Sequence, residues 1–122
     1  MSNLRVYTYK ACSTCRNATK WLNANKIAFT ELPIRETPPT SKELAAMMKA
    51  KGSLRPLFNT SSADYREAGI KDKIDSMTAT EAFGMMQKNG NLVKRPFLID
   101  EKRGIYLTGF KEDEWRAVLG AG

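Results

Sequence analysis

The first thirty residues switch period twice, and that switch restricts the fold more than any other feature of the chain. In "LRVYTY", residues 4 to 9, Leu4, Val6 and Thr8 alternate with Arg5, Tyr7 and Tyr9, the period-2 pattern of a strand. From about Ser13 to Asn25 the spacing becomes helical, with Cys15, Ala18 and Leu22 on one stripe, Trp21 beside it, and a natural stop around Asn23–Asn25. "IAFTEL", residues 27 to 32, returns to strand. A strand, a short helix and a second strand in this order predict a parallel, right-handed β-α-β unit.

The rest of the chain contributes helices and then a hairpin. The two prolines of "RETPPT" hold off a helix until Thr40. Thr40 and Glu43 have capping-box spacing, Leu44, Met47 and Met48 follow on one face, and Gly52 is a stop. Residues 53 to 77 read as short helical pieces, "SLRPLFN", "SADYREAG" and "IKDKIDS", with Gly69 ending the second. Thr78 and Glu81 repeat the capping-box spacing and lead Phe83 and Met86 to a break at Asn89-Gly90. Methionine at helical spacing is read as core, so Met47, Met48, Met85 and Met86 are expected inside. Phe97–Ile99 and Ile105–Leu107 flank a charged turn as a hairpin, and "KEDEWRAVL" sets Trp115, Val118 and Leu119 at helical spacing behind an acidic first turn. A hairpin is antiparallel, so adding it to a parallel β-α-β start requires a mixed sheet. The expected fold is α/β, β-α-β … β-β-α, with an all-helical insertion over about residues 38–90. No composition shift marks a linker, so residues 1–122 are read as a single domain.

Composition excludes several kinds of chemistry. The 122 residues are 42% apolar, enough for a core, with no internal repeat and no apolar run long enough to span a membrane. The start lacks the basic end and apolar centre of a signal peptide, so a cytoplasmic location is expected. There is no histidine. Cys-His and Ser-His nucleophile pairs therefore drop out. With two cysteines and no histidine a structural zinc lacks its four ligands, and no metal site is expected. Net charge is +7, but the basic residues are scattered without aromatic interleaving. Direct, specific nucleic-acid binding is not expected; the charge reads as solubility and an attractive field for anionic partners such as glutathione or an acidic protein surface.

The chemistry that survives centres on "YKACSTCRNATKWL", where Cys12 and Cys15 straddle the strand-to-helix switch. In a reducing compartment a stable disulfide is disfavoured, and a Cys-x-x-Cys bridge closes too small a loop to constrain the unfolded chain much. Thiol–disulfide exchange needs only a thiolate and a leaving thiol. Cys12 falls at or beside the N-cap, where free N–H groups and the dipole stabilise a thiolate. Lys10 and Arg16 add local positive charge. Cys15, on the apolar stripe, is expected to be shielded and less acidic, so the pair reads as a nucleophile followed by a resolving thiol. A buried cysteine pair without chemistry is the alternative.

These residues carry a resemblance. The Cys-x-x-Cys turn resembles the thioredoxin and glutaredoxin folds. With "ETPPTSKEL", "LFNTSSADYREAGI", "VKRPFLIDEKR" and "GFKEDEW", nearly the whole chain is similar to the arsenate reductase-related family, in which a helical segment interrupts a thioredoxin-like fold. The resemblance implies that Cys12 is the nucleophile, that Arg95 binds an anion, and that Pro96 is a cis-proline facing the active cysteine. Arg95 and Pro96, with Lys10 and Arg16, are thus the expected substrate-binding residues. Two further arginines of the arsenate reductases fall at Asn59 and Gly109, neither of which carries a guanidinium, and those enzymes lack the second cysteine, Cys15 here. The "GF" at 109–110 and Cys15 are closer to the Spx-type regulators and to glutathione-dependent reductase-like members. Gly52 falls where those regulators have a glycine that contacts RNA polymerase, whereas their extended tail has no counterpart here. The resemblance implies a glutaredoxin-like thiol–disulfide oxidoreductase acting on a thiol or disulfide substrate, for which glutathione is a candidate reductant; no bound cofactor and a monomer are expected. The second expectation is a redox-sensing regulator that binds the RNA polymerase α subunit; arsenate reduction ranks last.

Overall fold

Four strands, Arg5–Thr8 (β1), Thr30–Pro33 (β2), Phe97–Asp100 (β3) and Ile105–Thr108 (β4), make one sheet in the order β2-β1-β3-β4. β1 is parallel to β2 and antiparallel to β3, and β3 pairs with β4 as the hairpin, so the sheet is mixed as expected. The computed structural model describes residues 3–120. It divides into two compact units, one comprising the chain up to Pro33 together with Arg95 onward, the other Ile34–Lys94.

In the sheet-bearing unit, Ser13–Ala24 (α1) and Glu112–Leu119 (α5) pack on the face of the sheet that carries Leu4, Val6, Leu98 and Leu107. Trp115 is fully buried at its centre, edge-on to Phe110 at 4.9 Å and to Trp21 at 6.3 Å, and its Nε1 donates to Gly109 O at 3.1 Å. Each such edge-to-face pair adds about 0.5–1.5 kcal/mol to the burial itself. The indole N–H leaves no polar penalty.

Three local expectations shift. The alternation in β1 predicts one buried face, yet Tyr7 and Thr8 are buried as well as Val6, so side chains on both faces of this central strand are shielded. Tyr7 stands edge-on to its register partner Phe97 at 5.8 Å. β2 begins at Thr30 rather than Ile27. Leaving α1, the chain passes through Lys26 at φ +58°, Ile27 N–H donates back to Leu22 O, and pairing starts only where Thr30 N–H meets Leu4 O at 2.9 Å. Val118, expected inside, is 44% exposed, since Trp115 and Leu119 at i and i+4 already occupy the inward face of α5.

The hairpin turn is built on a buried charge. Asp100 accepts from the N–H groups of Lys102 and Arg103 and, at 2.7 Å, from Arg103 Nε. Burial alone would raise its pKa; the Arg103 guanidinium and the turn N–H groups outweigh this and hold it below the usual carboxylate range.

The second unit contains Ser41–Lys51 (α2), Ala63–Glu67 (α3) and Ala79–Lys88 (α4), with 3-10 turns at Arg55–Leu57, Ile70–Asp72, Ile74–Ser76 and Gly90–Leu92. Local codes place the helix ends. Thr40 and Glu43 form a reciprocal capping box, the hydroxyls of Ser62 and Thr78 accept from Tyr65 and Glu81 N–H, and Gly52 takes the left-handed conformation at φ +86°. Met47 and Met86 are fully buried, but Met48 and Met85 only partly, because consecutive helical residues point about 100° apart and cannot both face inward. The helical expectation holds, with one β-bridge, Phe58 to Val93, added to it. Among the described residues no helix is long and apolar enough to cross a membrane.

The ends of this unit meet at Gly90. A Cβ there would lie 2.0 Å from Ile34 O, so only glycine fits without moving the main chain. The flanking Asn89 and Asn91 donate their Nδ2 groups to Asp64 Oδ2 at 2.7 and 3.3 Å, joining the same corner to α3. Gly90→Ala is therefore expected to destabilise the protein by about 2 kcal/mol, within the range of an overpacked interior. Urea unfolding of variant and wild type checks this; an unchanged midpoint would show that the corner yields freely.

Candidate thiol site

The site forms where β1 turns into α1. Cys12 N–H donates to Tyr9 O at 2.9 Å and closes the turn, while Cys12 O accepts from Arg16 N–H at 3.1 Å and starts the helix. Cys12 is the N-cap, with extended φ −92° and ψ 112°, and its Sγ accepts the N–H of Cys15 at 3.3 Å. A sulfur thus stands where Ser, Thr or Asp would place an oxygen. The first turn of α1 holds no acidic residue to oppose an anion there. Cys12 is half-buried rather than fully exposed, and Cys15, one turn on, is 2% exposed among Ala18, Trp21 and Leu22.

The two thiols differ sharply in acidity. Partial burial pushes Cys12 up, but the Cys15 side chain, the Cys15 N–H and the Arg95 guanidinium together outweigh it, and the net pKa is lowered. Burial pushes Cys15 up first, the adjacent Cys12 sulfur adds to the effect, and the result is about 12.

Arg95 reaches this turn from the start of β3. Its Cζ lies over the ring of Tyr9, 4.9 Å from the centroid, and its Nη1 is buried with no hydrogen-bonding partner among the described residues. The Arg95–Pro96 peptide is cis, and the buried Pro96 accepts Gly109 N–H at its carbonyl, 2.9 Å away. The cation that acts on Cys12 is Arg95. Lys10 is exposed, and the exposed Arg16 turns its Nη1 back onto Lys10 O at 2.9 Å, bracing the turn. Of the four residues expected to bind substrate, the structure brings Arg95 to Cys12, with Pro96 buried next to it in the chain, and leaves Lys10 and Arg16 exposed on the turn. Tyr9 is the residue that sequence reasoning missed. It was read only as a strand position, and its partner lies far along the chain with no local signal to link them.

Gly109 adopts φ +71° and joins Pro96 to Trp115, accepting the indole N–H at its carbonyl. Asn59 lies in the other unit, where its N–H donates to Leu92 O and its carbonyl accepts from Ser62. Gly52 caps α2 there. Among the described residues no three His, Cys, Asp or Glu side chains cluster closely enough to hold a metal.

A family model described as the ArsC family matches residues 7–118. The chain is 38% identical over 114 residues to the uncharacterized protein YusI of Bacillus subtilis, a match spanning 93% of this chain and 95% of that protein. It is 31% identical to the global transcriptional regulator Spx 1 of Oceanobacillus iheyensis over 115 residues, 93% and 85% of the two chains. Among solved structures, an ArsC family-related protein from Bacteroides fragilis superposes with a TM-score of 0.85 at 37% identity, covering 96% of this chain and 99% of that one. A possible arsenate reductase from Streptococcus mutans gives 0.82 at 32% identity, covering 91% and 93%.

The lowered pKa of Cys12 means that its thiolate persists to lower pH than that of a free cysteine. Iodoacetamide alkylation of the wild type is expected to rise with pH through a midpoint below that of a free cysteine measured alongside. Cys12→Ser, left only with the enclosed Cys15 thiol, whose burial is the largest cause raising its pKa, should react slowly throughout the neutral range. A faster reaction at Cys15 than at Cys12 would overturn this ordering.

Proposed function

The chain belongs to the ArsC family, and from that premise we propose that it is a cytoplasmic, glutaredoxin-like thiol–disulfide oxidoreductase using Cys12 as nucleophile and Cys15 as resolving thiol. The observation that carries this reading is the asymmetry of the pair. One sulfur is half-accessible and stabilised as the anion by the helix N-terminus and Arg95, while the other is enclosed and held protonated.

In the first step the Cys12 thiolate attacks one sulfur of a substrate disulfide. A Cys12–substrate disulfide forms, the substrate S–S bond breaks, and the other half leaves as a thiolate that takes up a proton. This step also removes the negative charge beside Cys15. Two of the causes that raise the Cys15 pKa come from the Cys12 sulfur, so mixed-disulfide formation itself makes Cys15 easier to ionise. Cys15 then loses its proton to the departing thiolate or to water and attacks Cys12 Sγ. The second half of the substrate is released, leaving a Cys12–Cys15 disulfide. Two electrons have passed to the substrate. Two glutathione thiols return them, with no bound cofactor required. A monomer suffices for this chemistry, because both thiols and Arg95 come from one chain.

A second reading is favoured by the relatives named transcriptional regulators, which match over nearly the whole chain. Under it the same pair is a redox switch for binding the RNA polymerase α subunit, with Gly52 part of the contact surface. Arsenate reduction stands third, since Asn59 and Gly109 supply no guanidinium for an oxyanion.

Cys15→Ser, incubated with glutathione disulfide, should accumulate a one-to-one glutathione adduct at Cys12, read by intact mass, because no resolving thiol remains. Cys12→Ser should form no adduct and lose all disulfide reduction. Turnover in Cys12→Ser would overturn the assignment. Saturable, redox-dependent binding to purified α subunit without disulfide turnover would replace the enzyme with the regulator.

A further inference from the structure

Tyr9 is tied to both reactive partners. Its carbonyl accepts the N–H of Cys12 at 2.9 Å, and its ring lies under the guanidinium of Arg95 at 4.9 Å. One residue thus sets the main chain of the nucleophile and the side chain of its cation.

A guanidinium is long, mobile and able to donate five hydrogen bonds from its edges. To serve a thiolate it needs a support that restrains it without consuming those donors. A carboxylate partner would do the opposite, occupying an edge and cancelling the charge that favours the Cys12 anion. An aromatic face touches only the plane of the guanidinium, attracts it through the ring quadrupole, and leaves every N–H free. Nη1 of Arg95 has no hydrogen-bonding partner among the described residues, and it is the Tyr9 ring that restrains the guanidinium.

We propose that Tyr9 is a positioning residue: its ring holds the Arg95 guanidinium beside Cys12, where the cation favours the thiolate and attracts a substrate disulfide that carries a carboxylate. The preferred substrates are then mixed disulfides whose thiol component is a small carboxylic acid or acidic peptide, as glutathione is. This rests on the reading of Cys12 as the nucleophile.

The test uses full-length Tyr9→Leu, Tyr9→Phe, Arg95→Ala and the double variant Tyr9→Leu/Arg95→Ala, with two readouts. The first is the pH profile of Cys12 alkylation by iodoacetamide, which needs no disulfide turnover and so stands even if the oxidoreductase reading fails. Tyr9→Leu should move the midpoint upward in the same direction as Arg95→Ala, Tyr9→Phe should restore it, and the double variant should shift no further than Arg95→Ala alone. The second is the rate with glutathione disulfide against uncharged 2-hydroxyethyl disulfide. Tyr9→Leu should slow the anionic substrate by about fivefold, the scale of one cation–π contact, and the neutral one distinctly less. Tyr9→Met, a milder truncation, is read in the same way should Tyr9→Leu fail to fold. A wild-type alkylation profile in Tyr9→Leu or Tyr9→Met, additive shifts in the double variant, or equal slowing of both substrates would overturn the proposal.

Discussion

Strand β1 is hydrogen-bonded along both edges, parallel to β2 on one side and antiparallel to β3 on the other, and the geometry of the thiol site follows from that double pairing. A strand held on two sides cannot slip by a residue without reversing every side chain it contributes to the core. Its C-terminal end is therefore stationary. Thr8, the last residue of the strand, is buried and donates its hydroxyl to Glu31 Oε2 on β2 at 2.6 Å. The turn that follows is short, so the position of Cys12 is set by the sheet rather than by the helix it begins. Arg95 lies two residues ahead of β3, the strand paired with β1, and that ladder brings the two parts of the site together although some eighty residues separate them in the sequence.

The site depends on an N-cap made of sulfur. Oxygen caps satisfy orphan N–H groups and remain chemically inert. A thiolate accepts the same N–H while remaining a nucleophile, so the interaction that starts α1 also stabilises the reactive form of Cys12. Placing the second cysteine three residues later puts it on the inward stripe, where the environment acts in the opposite sense. One helical turn suffices to give two chemically identical side chains different roles.

The two units are specified in different ways. In the segment from Ile34 to Lys94, short-range codes mark most boundaries: a capping box at Thr40, hydroxyl caps at Ser62 and Thr78, and left-handed glycines at 52 and 69. Each acts within four residues and needs no knowledge of the rest of the chain. In the sheet-bearing unit the local pattern is less informative, because its central strand has buried side chains on both faces where an alternating pattern would leave one outside. Tyr7 and Thr8 are the examples.

The sequence by itself determined the order of elements, the mixed sheet, the helical character of about residues 38–90 and the placing of Cys12 at a helix start with Cys15 inside it. All of these rest on interactions between residues close in the chain: a period of 2 or 3.6, a cap three positions from its partner, a glycine at a stop. Tertiary structure alone decided that Arg95 stacks on Tyr9, that Gly90 abuts Ile34, that Asp100 is buried beside a charged turn, and that Val118 faces water while Trp115 fills the core. Each of these depends on which distant segment is packed alongside, or on which of two inward-leaning side chains reaches the core first. Local periodicity carries no record of a neighbour eighty residues away, and it is such a neighbour that gives Cys12 its cation.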